Sequence, residues 1–232
     1  MTKVDVISGF LGAGKTTLIK KLLKEALAGE QVALIENEFG EIAVDGGFLQ
    51  EAGVQIREMN SGCICCSLVG DFVTALKEVI ETYHPDRIII EPTGVGKLSD
   101  VTKAVADAVQ NEEVELGNAI TVVDAKKCRM YLKNFGEFFK NQVEHAGTIL
   151  LSRTDDISEE KLSQCIELLK GVNPHALIIT TPWDQLSGAQ ILKEIEKKSD
   201  FAAEVLKEME HKHHHHHEEH EHHHEHHHDH DH

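Results

Sequence analysis

At 232 residues the chain can bury the core of one α/β domain and is too short for two large domains beside its histidine-rich end. A formal net charge of -17 excludes the basic surface that phosphate-backbone binding requires, so nucleic acid is not an expected partner. No stretch approaches the roughly 18 consecutive apolar residues of a membrane span, and the first residues run into a strand-like segment instead of a signal peptide, which predicts a cytoplasmic protein without membrane contact.

Residues 3–8 alternate and then turn apolar, predicting a first strand. Gly9-Phe10-Leu11-Gly12-Ala13-Gly14-Lys15-Thr16 follows at once and fits G-x-x-x-x-G-K-[ST]. A helix is predicted from residue 15 to about residue 28, with Leu18, Ile19, Leu22, Leu23 and Leu27 on one face. Strand, glycine turn and helix in this order give the motif its physical sense. The glycines let backbone N–H groups of Gly12, Ala13, Gly14, Lys15, Thr16 and Thr17 wrap phosphate oxygens at a helix N-terminus; Lys15 reaches the β and γ phosphates and the Thr16 hydroxyl ligates Mg²⁺.

A second strand is predicted at 32–35, followed by E-N-E-F-G-E with Glu36, Glu38 and Glu41, and a third at 54–57. The loop after it carries Cys63, Cys65 and Cys66, with Gly62 allowing the backbone to bend so that thiolates converge. Soft, deprotonated sulfur suits Zn²⁺ or a similar late transition metal. Three cysteines leave a tetrahedral ion one ligand short and adjacent cysteines strain to share one ion, so two thiolates with outside oxygen or nitrogen donors stand as the other arrangement, Glu36, Glu38 and Glu41 being the natural candidates; packing or thiol redox chemistry is the rival use. Cys128 and Cys165 bring the total to five, an odd number that favours metal ligation or thiol chemistry over a disulfide framework.

A helix at 67–83 leads to a strand at 87–90 and then Glu91-Pro92-Thr93-Gly94. In a nucleotide hydrolase this position holds the carboxylate that binds Mg²⁺ or its water, and a glycine whose N–H senses the γ-phosphate; Glu91 and Gly94 are the candidates. An ordinary helix-start charge is the rival reading of Glu91. Further strands are expected at 119–123, 148–151 and 176–180, and helices at 99–110, 137–145, 158–170 and 187–197. Apolar strands alternating with amphipathic helices predict a P-loop α/β fold, a largely parallel sheet covered by helices on both faces, whose ligands bind beyond the carboxyl ends of the strands.

From His211 onward, 15 of the 18 histidines lie among Glu and Asp. This composition cannot bury a core and is expected to be disordered without metal, but it binds Zn²⁺, Ni²⁺, Co²⁺ or Cu²⁺ in many geometries. The longest uninterrupted run, His213, His214, His215, His216 and His217, is short and the rest is punctuated by acids, which a purification tag has no reason to contain. The predicted division is a nucleotide domain over residues 1–205 and a metal-binding tail over 206–232.

With GFLGAGKTT, IENEFGE, CICC and EPTG in this order, the chain resembles the CobW family of metal-handling GTPases, relatives of the HypB and UreG metallochaperones. The resemblance covers roughly residues 1–180 and implies GTP, Mg²⁺ and a transition-metal site (Zn²⁺, Ni²⁺ or Co²⁺) at Cys65, Cys66 and Cys63, beside a switch that includes Glu36 and Glu41. It also implies a client metalloprotein and a nucleotide-dependent homodimer. Family members carry N-K-x-D after a strand, where the Asp pairs with guanine; here the segment reads Ser152-Arg153-Thr154-Asp155. Asp155 retains the discriminating carboxylate and the Arg153 guanidinium can stack on a purine, while Ser152 lacks the amide. The resulting expectation is a GTP-hydrolysing metallochaperone. A metal buffer with a slow regulatory nucleotide domain is the alternative, and a small-molecule kinase would leave the CICC loop and the tail unexplained.

Overall fold

In the strand Arg87–Glu91, Ile88 and Ile90 pack into one apolar cluster and Ile89 into another, all essentially inaccessible to water. A strand apolar on both sides needs a covering layer on each. The computed structural model supplies both layers; it describes residues 1–36, 55–58, 69–109 and 114–197.

Among the described residues the strands are β1 (Thr2–Gly9), β2 (Val32–Glu36), β3 (Gln55–Glu58), β4 (Arg87–Glu91), β5 (Val114–Asp124), β6 (Thr148–Ser152) and β7 (Leu177–Ile179). They form one sheet in the order β3-β2-β4-β1-β5-β6-β7, every neighbouring pair parallel. The helices are α1 (Lys15–Glu25), α2 (Val69–Tyr83), α3 (Leu98–Val109), α4 (Cys128–Asn134), α5 (Gly136–Glu144), α6 (Glu159–Val172) and α7 (188–197). Leu18, Ile19, Leu22 and Leu23 of α1, with Ile191 and Ile195 of α7, cover Ile7, Leu34, Ile89 and Val122 on one face. The other face packs Val6, Ile35, Ile90 and Leu151 against Leu76, Val105, Phe139, Val143 and Leu169 of α2, α3, α5 and α6.

This parallel, doubly covered sheet is the predicted architecture. β5 begins five residues earlier than periodicity suggests, because the polar start of the strand pairs with the first residues of β1, Thr2 with Val114 and Lys3 with Glu115. Asp5, buried in β1, accepts the Asn118 backbone N–H at 2.7 Å and its side-chain amide at 3.0 Å, and also pairs with buried Arg87. Arg87 reaches Glu196 of α7 at 2.7 Å as well. Burial alone would lower the guanidinium pKa, but the Asp5 and Glu196 carboxylates raise it well above its ordinary value. This network ties β1, β4 and α7 together near the amino ends of the strands. The carboxyl ends, where β1, β4 and β6 finish in Gly9, Glu91 and Ser152, are left for the site.

Candidate functional site

α1 starts at Gly14, whose φ of 110° is the left-handed conformation that glycine adopts without cost, and no side chain caps the helix start. The turn between β1 and α1 therefore offers its N-terminal dipole to an external anion. Lys15 is only 4 % exposed, and the Thr16 hydroxyl donates to Glu91 Oε1 at 3.4 Å. Glu91 is itself buried at the end of β4. Its backbone partner across the sheet is Glu36, which in turn aligns with Glu58 of β3.

Gly94 closes the wall opposite. A Cβ built there would sit 2.7 Å from the backbone nitrogen of Leu11, so the E-P-T-G segment lies against the phosphate-type loop and tolerates no side chain. The Gln142 side-chain amide, fully buried on α5, donates to the carbonyls of Gly94 at 3.1 Å and Gly96 at 2.9 Å and fixes that segment.

The end of β6 completes the site. Ser152 Oγ donates to the Ala13 carbonyl at 2.6 Å, so the hydroxyl ties the end of β6 to the glycine loop. Arg153, held at φ 57°, donates to Asp124 Oδ2 at 2.5 Å and to the Gly12 carbonyl at 3.0 Å. Its guanidinium thus anchors the loop while lining a cavity of about 310 Å³ with Gly14, Thr17, Asp155 and Trp183. The Trp183 ring lies over the loop, 3.4 Å from where a Gly14 Cβ would be, and its buried Nε1 has no hydrogen-bond partner among the described residues.

Of the residues expected from the sequence, Gly12, Ala13, Gly14, Lys15, Thr16, Thr17, Glu91, Gly94, Arg153 and Asp155 converge at this edge, with Glu36 one strand away. Glu38, Glu41, Cys63, Cys65, Cys66 and the tail histidines His213, His214, His215, His216 and His217 lie outside the described residues. Asp124, Gln142 and Trp183 were not singled out. Asp124 and Trp183 could have been found from their place after a strand, where ligands of parallel sheets bind. For Gln142, mid-helix, the sequence carries no such signal.

The hydroxyl–carboxylate pair of Thr16 and Glu91 is a hard-oxygen donor set that fits Mg²⁺. The uncapped helix start beside buried Lys15 fits a polyphosphate. The family described as CobW/HypB/UreG, nucleotide-binding domain, matches residues 3–180.

The chain belongs to this family.

Its relatives include the zinc chaperone YjiA of Escherichia coli (strain K12), 35% identical over 184 residues, which are 76% of this chain and 56% of that one. Zinc-regulated GTPase metalloprotein activator 1 of Schizosaccharomyces pombe is 31% identical over 195 residues, 79% of this chain and 46% of that one. The crystal structure of the Zn(II)-bound YjiA GTPase from E. coli superposes with a TM-score of 0.60 at 27% identity, covering 78% of this CobW/HypB/UreG-type chain and 57% of that one. The chain spans about half the length of the curated relatives it matches. No helix among the described residues is long and apolar enough to cross a membrane.

Proposed function

We propose that the chain binds and hydrolyses GTP and couples that cycle to taking up a transition metal and handing it to a client metalloprotein. Zinc is the first candidate cargo, since it is the metal named for YjiA and for the fission-yeast activator, with nickel and cobalt next. The observation that carries the reading is the Thr16–Glu91 contact beside the glycine loop, whose Ala13 and Gly14 line a cavity with Asp155.

In this reading Lys15 and the N–H groups of α1 hold the β and γ phosphates, and Thr16 and Glu91 would hold Mg²⁺. When bound, Mg²⁺ supplies positive charge against the phosphate oxygens. Asp155 accepts hydrogen bonds from the guanine edge, and Trp183 and the Arg153 stem close the cavity around the base. Gly94, held by Gln142, meets the γ-phosphate end, where its N–H distinguishes triphosphate from diphosphate.

Glu36 links this edge to the metal. It neighbours Glu91 in the sheet register and begins the segment that carries Glu38 and Glu41, from which the chain runs on through β3 to Cys63, Cys65 and Cys66. Linkage then requires metal to change nucleotide affinity by the factor with which nucleotide changes metal affinity. Residues 206–232 raise the effective metal concentration near that loop, and GTP-dependent pairing of two copies across the nucleotide face belongs to the same proposal.

The test of the nucleotide assignment is competition between GTP, ATP and XTP for wild type and Asp155→Asn. GTP is expected to outcompete ATP on wild type. Asp155→Asn should weaken GTP by about 2 kcal/mol, roughly thirtyfold, and improve XTP, whose second carbonyl accepts from the new amide. Equal use of ATP and GTP by wild type contradicts the assignment.

A further inference from the structure

Two thiols away from the phosphate loop share a second cavity. Cys128, the first residue of α4, and Cys165, in the middle of α6, are both free and are 1 % and 3 % exposed. Both side chains belong to one buried cluster and interact with each other across the two helices. The Cys165 side chain pulls the Cys128 thiol below its ordinary range against the opposing effect of burial. Cys128, with burial and the Asp124 carboxylate adding to the effect, pushes Cys165 up.

Both residues line a cavity of about 490 Å³ that also presents Lys126, Arg129 and Lys161 against the single carboxylate of Asp156, which Lys126 pairs with. An apolar packing role does not call for a cation-lined approach to two buried thiols. An anionic thiol reagent does. The helices that carry the sulfurs follow directly on the two loops of the base site: Asp124, which holds Arg153, lies four residues before Cys128, and Asp155 lies in the turn before α6.

We infer that Cys128 and Cys165 form a redox-modifiable pair that closes to a disulfide by exchange with an anionic low-molecular-weight disulfide such as oxidised glutathione, and that closure alters nucleotide affinity. The Cys128 thiolate attacks one sulfur of the small disulfide, expelling one thiolate and leaving a mixed disulfide. Cys165 gives up its proton to solvent and attacks the Cys128 sulfur, expelling the second small thiolate. Two protein thiols lose two electrons, and one small disulfide becomes two thiols. The coupling half of the inference rests on the proposed base site; the sulfur chemistry does not.

The experiment equilibrates the full chain in glutathione buffers of increasing oxidised fraction, quenches with acid, alkylates, and maps peptides by mass spectrometry. A Cys128–Cys165 linked peptide is expected, reversed by dithiothreitol and absent from Cys128→Ala and Cys165→Ala. Wild type should gain on the order of 5–10 °C in melting midpoint on oxidation, and neither variant should. GTP dissociation constants, read from Trp183 fluorescence, should differ about threefold or more between the reduced and oxidised wild type, a shift within the usual range of coupling between sites. Recovery of both residues as free thiols at the most oxidising ratio, or linked instead to Cys63, Cys65 or Cys66, overturns the pair. A linked peptide with unchanged GTP affinity overturns the coupling. Failure of the reduced protein to bind GTP contradicts the proposed function and leaves the peptide map to decide the disulfide.

Discussion

Thr16 at the start of α1 and Glu91 at the end of β4 meet through a 3.4 Å hydrogen bond although 75 residues separate them in sequence. Glu91 is buried, so its charge is screened little and acts at short range on whatever lies beside Thr16. Glu91→Gln keeps the shape and removes the charge. Phosphate release from GTP should fall by about 100-fold, the usual size for loss of one preorganised electrostatic group, while Mg²⁺-free GTP binding stays within roughly threefold. Unchanged turnover would remove Glu91 from the Mg²⁺ corner.

Ser152 makes a 2.6 Å bond to the Ala13 carbonyl, and the alanine variant leaves that acceptor unpaired. A loss of about 1 kcal/mol is expected, or roughly fivefold in GTP affinity. Ser152→Asn, which restores the residue usual in the family pattern, should recover most of it by the same fluorescence titration.

The packing of Gly94 on Leu11 makes a sharper prediction. In Gly94→Ala the new methyl group would stand 2.7 Å from the Leu11 nitrogen, so one of the two backbone segments must move. The expected cost is about 1–3 kcal/mol in chemical denaturation, with nucleotide affinity falling at least as much, because both segments border the proposed phosphate site.

Much of this was legible from local signals. The glycine loop is a contiguous motif whose conformation depends on its own residues, and β2, β4 and β6 announce themselves as apolar on both faces. α4 was not expected, since seven residues are too few to set a helical period. Gln142 acts on a segment 48 residues away, so its role arises from tertiary approach alone. Ser152 reads as a loss when compared by residue type with asparagine; only the closeness of β6 to the loop shows that a hydroxyl reaches.

At the opposite end of the sheet, Arg87→Met should leave Asp5 buried with its charge uncompensated. Destabilisation of about 3–5 kcal/mol is expected in urea denaturation, with Asp5→Leu added on top recovering much of it. GTP turnover per folded molecule should not change, since the pair lies away from the site. A drop in turnover without loss of stability would show that the two ends of the sheet are coupled.

The central claim is that nucleotide and transition metal act on each other. It is tested most directly by GTP turnover and affinity with and without one equivalent of Zn²⁺, Ni²⁺ or Co²⁺, on wild type, on the chain lacking residues 211–232, and on the Cys65→Ala, Cys66→Ala double variant. One metal, zinc first, should change turnover or affinity in wild type and in the tail-deleted chain, and should lose that effect when the two cysteines are replaced. Turnover and affinity indifferent to every metal, or a metal effect that vanishes with the tail and survives without the cysteines, would contradict the coupling and leave a metal buffer beside a separate nucleotide domain.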